Sequence, residues 1–288
     1  MTFTTLASGS TGNAALLSCG DTHILLDAGV SAKQITAGLR ELGVTPRQLS
    51  AILITHAHSD HVSGLRVLAN KAGAPIYTTG PAFWEWYKRN RCDEVKSLFQ
   101  PLEAGSGTRI GALWAQSFPT PHDAAGSVCW SISGDGVRMV LCTDLGYVTD
   151  EVLQAVKGCN LLVCETNHDE DWVRSGPYPY YLKQRILGPL GHLSNEAGAE
   201  LAAFAVESGT RTVVLAHLSR TNNTPARAYE VACRRLRAMN CDPERDISLS
   251  VAPARELGHT VTLGEPSPGG RSFFLKDCEV ISEREAGA

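Results

Sequence analysis

Short apolar runs alternate with amphipathic stretches along most of this chain. Residues 51–54, Ala51-Ile52-Leu53-Ile54, form a continuous apolar run that predicts a short buried strand. Similar runs predict strands over 14–18 and 22–27, joined by the turn Cys19-Gly20-Asp21. Further along, they predict strands over 114–118, 128–133 and 137–142, with Gly134-Asp135-Gly136 as a hairpin turn. Two more strands are expected over 160–164 and 211–216. Apolar residues at helical spacing predict helices over 32–42, 62–72, 149–156, 195–207 and 225–239. Two half-patterns of strands followed by helices therefore predict an α/β fold, with no visible internal repeat. After Leu263 the sequence Glu265-Pro266-Ser267-Pro268-Gly269-Gly270 reads as a linker. The expected division is one domain over 1–263 and a C-terminal extension over 264–288.

One stretch changes the picture from fold to chemistry. Directly after the 51–54 run comes Thr55-His56-Ala57-His58-Ser59-Asp60-His61. The cluster falls at the carboxyl end of a strand, where open α/β sheets place their sites. Imidazole and carboxylate are the donors that a borderline cation such as zinc prefers. Four such side chains leaving one turn cannot all serve a single tetrahedral ion without strain, whereas two adjacent ions can share them. A solvated polar turn is the bland alternative.

Composition narrows the context. At 43% hydrophobic and 19% charged, the chain is an ordinary globular sequence. No run of apolar residues is long enough for a membrane span, and the N-terminus lacks the features of a signal peptide. The nine cysteines contain no CxxC pair, and they read as small core residues of a cytoplasmic protein. A net charge of −4 argues against a bulk polycationic nucleic-acid binder. It leaves room for cation-assisted binding, since two divalent ions would supply local positive charge.

The pattern His-x-His-x-Asp-His resembles the signature of the metallo-β-lactamase superfamily. Four further residues resemble its other motifs in order: Asp27, His122, Asp144 and His217, each at or just past a strand end. The resemblance implies a four-layer αββα sandwich. It also implies two divalent ions, Zn2+ or Mn2+, sharing a hydroxide. His56, His58 and His122 would hold one ion, Asp60, His61 and His217 the other, and Asp144 would bridge. Asp27 would orient a ligand histidine. An aspartate at 144, where many β-lactam-cleaving members carry cysteine, resembles the phosphodiester and thioester hydrolases instead.

The order Glu165-Thr166-Asn167-His168-Asp169, then Gly191-His192-Leu193-Ser194-Asn195, then His217-Leu218-Ser219 is similar to that of ribonuclease Z. By that likeness Asp60 and His192 would carry the chemistry, with His192 donating a proton. Glu165 would partner His192, and Ser194 would cap a helix whose N-terminus meets phosphate. Asn13, His168, Ser194 and Asn195 are the candidate substrate contacts. Together with Ala7-Ser8-Gly9-Ser10-Thr11-Gly12-Asn13 and His217-Leu218-Ser219-Arg220-Thr221-Asn222-Asn223-Thr224-Pro225, these motifs look like the YycJ (WalJ) group, a bacterial cytoplasmic branch. That resemblance implies a 5′-to-3′ exonuclease acting on DNA ends. Only 72 residues separate Asp144 from His217, too few for the inserted domain of β-CASP nucleases.

Basic residues Lys88, Arg89, Arg91, Arg174, Lys183, Arg185 and Arg220 either touch a nucleic-acid backbone or are solvated surface charges. The neighbouring aromatics Trp84, Trp86, Tyr87, Tyr178, Tyr180 and Tyr181 either stack bases or pack. Two rival functions remain at this stage. One is hydrolysis of a small cyclic phosphodiester or thioester; the other is a regulatory protein that kept its metal site.

Overall fold

A computed structural model describes residues 1–264. The expected extension beyond Gly264 lies outside these residues. Fourteen strands form two seven-stranded sheets among the described residues. The first sheet contains β1 (Thr2–Ala7), β2 (Ala14–Cys19), β3 (Thr22–Leu26), β4 (Leu49–Leu53), β5 (Ile76–Thr79) and β6 (Phe99–Leu102). The second contains β7 (Gly107–Ile110), β8 (Leu113–Pro119), β9 (Val128–Gly134), β10 (Val137–Cys142), β11 (Leu161–Glu165), β12 (Thr212–Ala216) and β13 (Ser248–Val251). The two-residue β14 (Val261–Thr262) returns to pair antiparallel with β1 on the first sheet.

Each sheet is antiparallel on one side and parallel on the other. In the first, β1, β2 and β3 are antiparallel neighbours and β3 to β6 run parallel. In the second, β7 to β10 are antiparallel and β10 to β13 run parallel. The sequence carries no repeat, yet the two sheets share this arrangement.

The helices are α1 (Ala32–Glu41), α2 (Ser59–Val62), α3 (Leu65–Ala72), α4 (Gly80–Asn90), α5 (Asp93–Leu98), α6 (Asp150–Val156), α7 (Glu170–Ser175), α8 (Tyr180–Leu187), α9 (Asn195–Glu207) and α10 (Pro225–Ala238). None is long and apolar enough to cross a membrane among the described residues. Strand alternation sorts the core into layers. Ile24, Leu26, Ala51 and Leu53 from one sheet meet Trp130, Met139, Leu141, Leu161 and Val163 from the other in a shared inner core. The opposite faces carry Leu25, Ile52 and Ile54 against α1, α3 and α4, and Val140, Leu162 and Cys164 against α6 and α9. Helix α10 covers Val213 and Leu215 beyond them. The result is the four-layer αββα sandwich. All eight cysteines among the described residues are buried and unbridged, packing as small apolar groups.

The helix expected over 62–72 starts three residues later, as α3 at Leu65, and Val62 instead ends the short α2. Gly64 sits between them: its N–H bonds Ala28 O at 2.8 Å, and a Cβ there would stand 2.1 Å from Val30 O. The helix start must therefore turn against the 28–30 segment rather than run straight.

Candidate metal centre

The carboxyl ends of β3, β4, β10, β11 and β12 lie along one rim of the sandwich, and all the motif residues gather there. Backbone conformation is unusual at three of them. Asp27, Asp144 and His217 adopt φ of 57°, 63° and 58°. A non-glycine residue costs on the order of 1 kcal/mol in this left-handed region, and such residues concentrate at functional sites. Surrounding bonds hold two of them there. Asp27 N–H donates to Leu53 O at 2.8 Å, and His217 N–H donates to Ser8 Oγ at 2.9 Å.

Most of the histidines are tethered through one ring nitrogen. His61 Nδ1 lies 2.8 Å from Asp27 Oδ2, His217 Nδ1 3.0 Å from Glu165 Oε1, and His122 Nδ1 3.0 Å from Gly191 O. Carboxylates and carbonyls only accept, so each Nδ1 carries a proton in these contacts, and Nε2 is the atom that a neutral ring would offer to a metal. Those Nε2 atoms surround Asp144. His61 Nε2 is 3.2 Å from Asp144 Oδ2; His217 Nε2 and His122 Nε2 are 3.5 Å and 3.7 Å from Oδ1. His58 meets His122 through Nδ1, at 3.2 Å from its Nε2. Asp60 Oδ2 stands 3.4 Å from His217 Nε2. The tethering of imidazole by carboxylate or carbonyl is the usual outer arrangement around a metal.

Donor atoms within 4.8 Å of one another fall into overlapping groups: His56, His58, His122; His56, His61, Asp144; Asp60, His61, His217; and Asp144, Glu165, His192, His217. Asp144 belongs to two of these and lies between the others. Two buried atoms in the cluster, His56 Nε2 and Asp144 Oδ2, have no hydrogen-bond partner. An unsatisfied buried imidazole nitrogen beside an unsatisfied carboxylate oxygen is a costly arrangement. A divalent cation would satisfy both, so the donor set fits a metal.

The electrostatics describe a metal-free site charged with protons. Burial alone would lower the pKa of His217, but the Asp144 charge and bonds to Asp60 and Glu165 raise it to about 10. Burial likewise opposes a charge on His61, and Asp144, Asp27 and Asp60 overcome it to raise His61 well above the ordinary value. Burial would raise Glu165, yet His192 and His217 bring it down to about 2. His56 is pushed well below its ordinary value by burial.

His192 is the third partner of this network. Its Nδ1 lies 2.8 Å from Glu165 Oε1 and its side chain is partly exposed. Glu165 Oε2 accepts the N–H groups of Leu145 and Leu193, at 2.9 and 3.2 Å, which fixes the carboxylate completely.

The four candidate substrate contacts occupy the framework instead. Asn13 is buried, with its amide 3.1 Å from Gly9 O and from His61 Nε2. Ser194 Oγ accepts the Ala197 N–H and caps α9. Asn195 is buried against Asn223, and His168 is only 1% exposed with Nδ1 unpartnered. Asn223 ties these loops together by donating to Thr166 O and Asn167 O. All four side chains are buried within this network. Of the aromatics, Trp86 is buried in the core, whereas Trp84, Tyr180 and Tyr181 are exposed. Trp84 and Tyr87 lie under the Lys96 ammonium.

Sequence reasoning passed over three residues. Thr55 holds Asp27, His56 and His61 through its N–H and hydroxyl, with Oγ1 3.0 to 3.2 Å from each of the three. Ser8 holds His217, as described above. Asp123 stands 3.6 Å from His58 Nε2 and 3.5 Å from His122 Nε2. Their adjacency to motif residues in the chain is the signal that could have found Thr55 and Asp123. Ser8 lies in the 7–13 loop already singled out as a motif, which gave the residue itself no role.

This fold and this rim of donors define a class. The Beta-lactamase superfamily domain matches residues 22–218, and the chain belongs to that superfamily. Over 228 residues it is 39% identical to exodeoxyribonuclease WalJ of Streptococcus pneumoniae serotype 2, covering 79% of this chain and 85% of that protein. It is 37% identical over 223 residues to exodeoxyribonuclease YycJ of Bacillus anthracis, covering 77% and 83%. The metallo-beta-lactamase fold protein YhfI of Bacillus subtilis matches with a TM-score of 0.64 at 18% identity, over 89% of this chain and 98% of that one. That last likeness is one of fold.

Proposed function

We propose that this chain is a dinuclear metal-dependent phosphodiesterase that removes nucleotides from DNA ends in the 5′-to-3′ direction. In this reading His56, His58 and His122 hold one ion, Asp60, His61 and His217 the second, and Asp144 serves both. When bound, a pair of Zn2+ or Mn2+ ions supplies a nucleophile at neutral pH and neutralises charge in an in-line displacement. The protein's own residues do the rest. Asp27 and Glu165 keep His61 and His217 in the tautomer that turns Nε2 inward. Asp60 adds a carboxylate at the exposed edge of the same group. His192, with Nδ1 held by Glu165, has Nε2 left to give a proton to the departing oxygen. The Glu165 carboxylate stabilises the imidazolium until that transfer.

The observation that carries the reading is Glu165 Oε1, which lies within 3.0 Å of both His217 and His192. One carboxylate thereby couples the metal cluster to a separate, partly exposed imidazole, as a hydrolase with a general acid requires. The names of the WalJ and YycJ relatives support DNA as substrate.

The test is purified protein with Mn2+ or Zn2+ against end-labelled single- and double-stranded DNA and RNA. Release of short labelled products from DNA is expected. Hydrolysis of a thioester with no action on any nucleic acid would replace this reading with the small-substrate one. No hydrolysis of either kind would favour a regulatory protein.

A further inference from the structure

A cleft of about 150 Å³ opens beside the cluster, lined by His192, Tyr178, Leu182, Arg185, Asp123 and Asn167 among others. One wall is α8, which alone among the α-helices of the described residues has no buried side chain. Arg185 projects from α8 and grips Asp123 with two prongs: Nε on Oδ2, and a terminal nitrogen 3.2 Å from Oδ1. Asp123 in turn lies 3.6 Å from His58 Nε2. The guanidinium is thus one carboxylate away from the candidate metal ligands.

Arg185 is half exposed and Asp123 partly so, and an ion pair open to solvent contributes little to stability. A guanidinium matches a phosphate in the same two-pronged geometry that it uses for a carboxylate. Tyr178, Leu182 and Ile186 line the same cleft and supply aromatic and apolar surface for a base and sugar. The overall charge of −4 means that local cations must do the gripping.

Resting on the nuclease reading, we propose that the cleft receives the terminal nucleotide of the strand. Arg185 takes the phosphate next to the scissile one and is parked on Asp123 until that phosphate arrives. Asp123 is then the competitor of the substrate for Arg185.

The sign of one substitution separates this role from a structural ion pair. Binding of thymidine 5′-monophosphate and of thymidine is measured by titration calorimetry on the purified metal-loaded protein, with metal content and melting temperature recorded for each variant. Arg185→Gln is expected to weaken the monophosphate roughly 10-fold and to leave thymidine unchanged. Arg185→Lys should fall between. Asp123→Asn releases Arg185 and should tighten the monophosphate. Equal monophosphate affinity in wild type and Arg185→Gln overturns the proposal, as does Asp123→Asn weakening binding as much as Arg185→Gln does. If the monophosphate binds through Arg185 while no nucleic acid is cleaved, the nucleotide site stands and the nuclease reading alone fails.

Discussion

Glu165 Oε1 lies 2.8 Å from His192 Nδ1, and the same oxygen is 3.0 Å from His217 Nδ1. Its other oxygen is consumed by two backbone N–H groups. A single buried carboxylate therefore sets the tautomers of two imidazoles with different proposed tasks. His192→Ala should keep the metal content and melting temperature of the wild type yet lose roughly 10²–10⁴ in phosphodiester hydrolysis. Elemental analysis beside initial rates checks this, and a wild-type rate would remove His192 from the chemistry.

Glu165→Gln should behave differently, because it strikes both imidazoles. Loss of an outer carboxylate partner commonly weakens metal binding about 10–100-fold. Chelator competition is expected to show weaker binding in Glu165→Gln and unchanged binding in His192→Ala. The same ordering in Asp27→Asn, through His61, would extend the rule to the other side of the cluster.

Metal uptake should release protons. In the metal-free protein His217 is held at a pKa of about 10, and His61 is also raised well above its ordinary value. Ligation needs the neutral imidazole, so metal uptake should expel protons that these raised groups hold. Affinity then rises with pH across the neutral range. Calorimetry in buffers of different ionisation enthalpy counts the protons; a count near zero contradicts the assignment of His61 and His217.

His168 predicts a stability effect of its own. Burial lowers its pKa to about 4, against an ordinary 6.5. Between those values the unfolded chain binds the proton and the folded chain does not. The contribution is present in full above pH 6.5 and is lost as pH falls toward 4, on the order of 3 kcal/mol in total. Urea unfolding from pH 4.5 to 7.5 should slope steeply in wild type and less in His168→Gln. Equal slopes would mean that His168 does not titrate in this way.

Much of the scaffold was legible in the chain. The run 51–54 and its histidine-rich turn located β4 and the rim, and 195–207 matched α9 at both ends because Ser194 is a good cap and apolar residues recur along the whole helix. The segment 76–102 was not read: β5 is four residues long and passes directly into α4 at Gly80-Pro81, so neither period has room to register. Helices α7 and α8 are only six and eight residues long, which hides them in the same way. At the site, the motif residues could be placed at strand ends, but their left-handed backbone at Asp27, Asp144 and His217 could not. Asn13, His168, Ser194 and Asn195 were legible as polar residues near the motifs, and Ser194 as a cap, but their burial was not. Here they fill the space beneath the rim, where loops from both halves meet.

The central claim is metal-dependent hydrolysis of DNA from a 5′ end, and strand-specific labelling tests it most directly. A linear duplex labelled at the 5′ end, the same duplex labelled at the 3′ end, and a covalently closed circle are each incubated with protein and Mn2+, with and without chelator. The account predicts early release of the 5′ label as short products, progressive shortening of the 3′-labelled strand, an intact circle, and no reaction with chelator. Cleavage of the closed circle, or release of the 3′ label first, would contradict it.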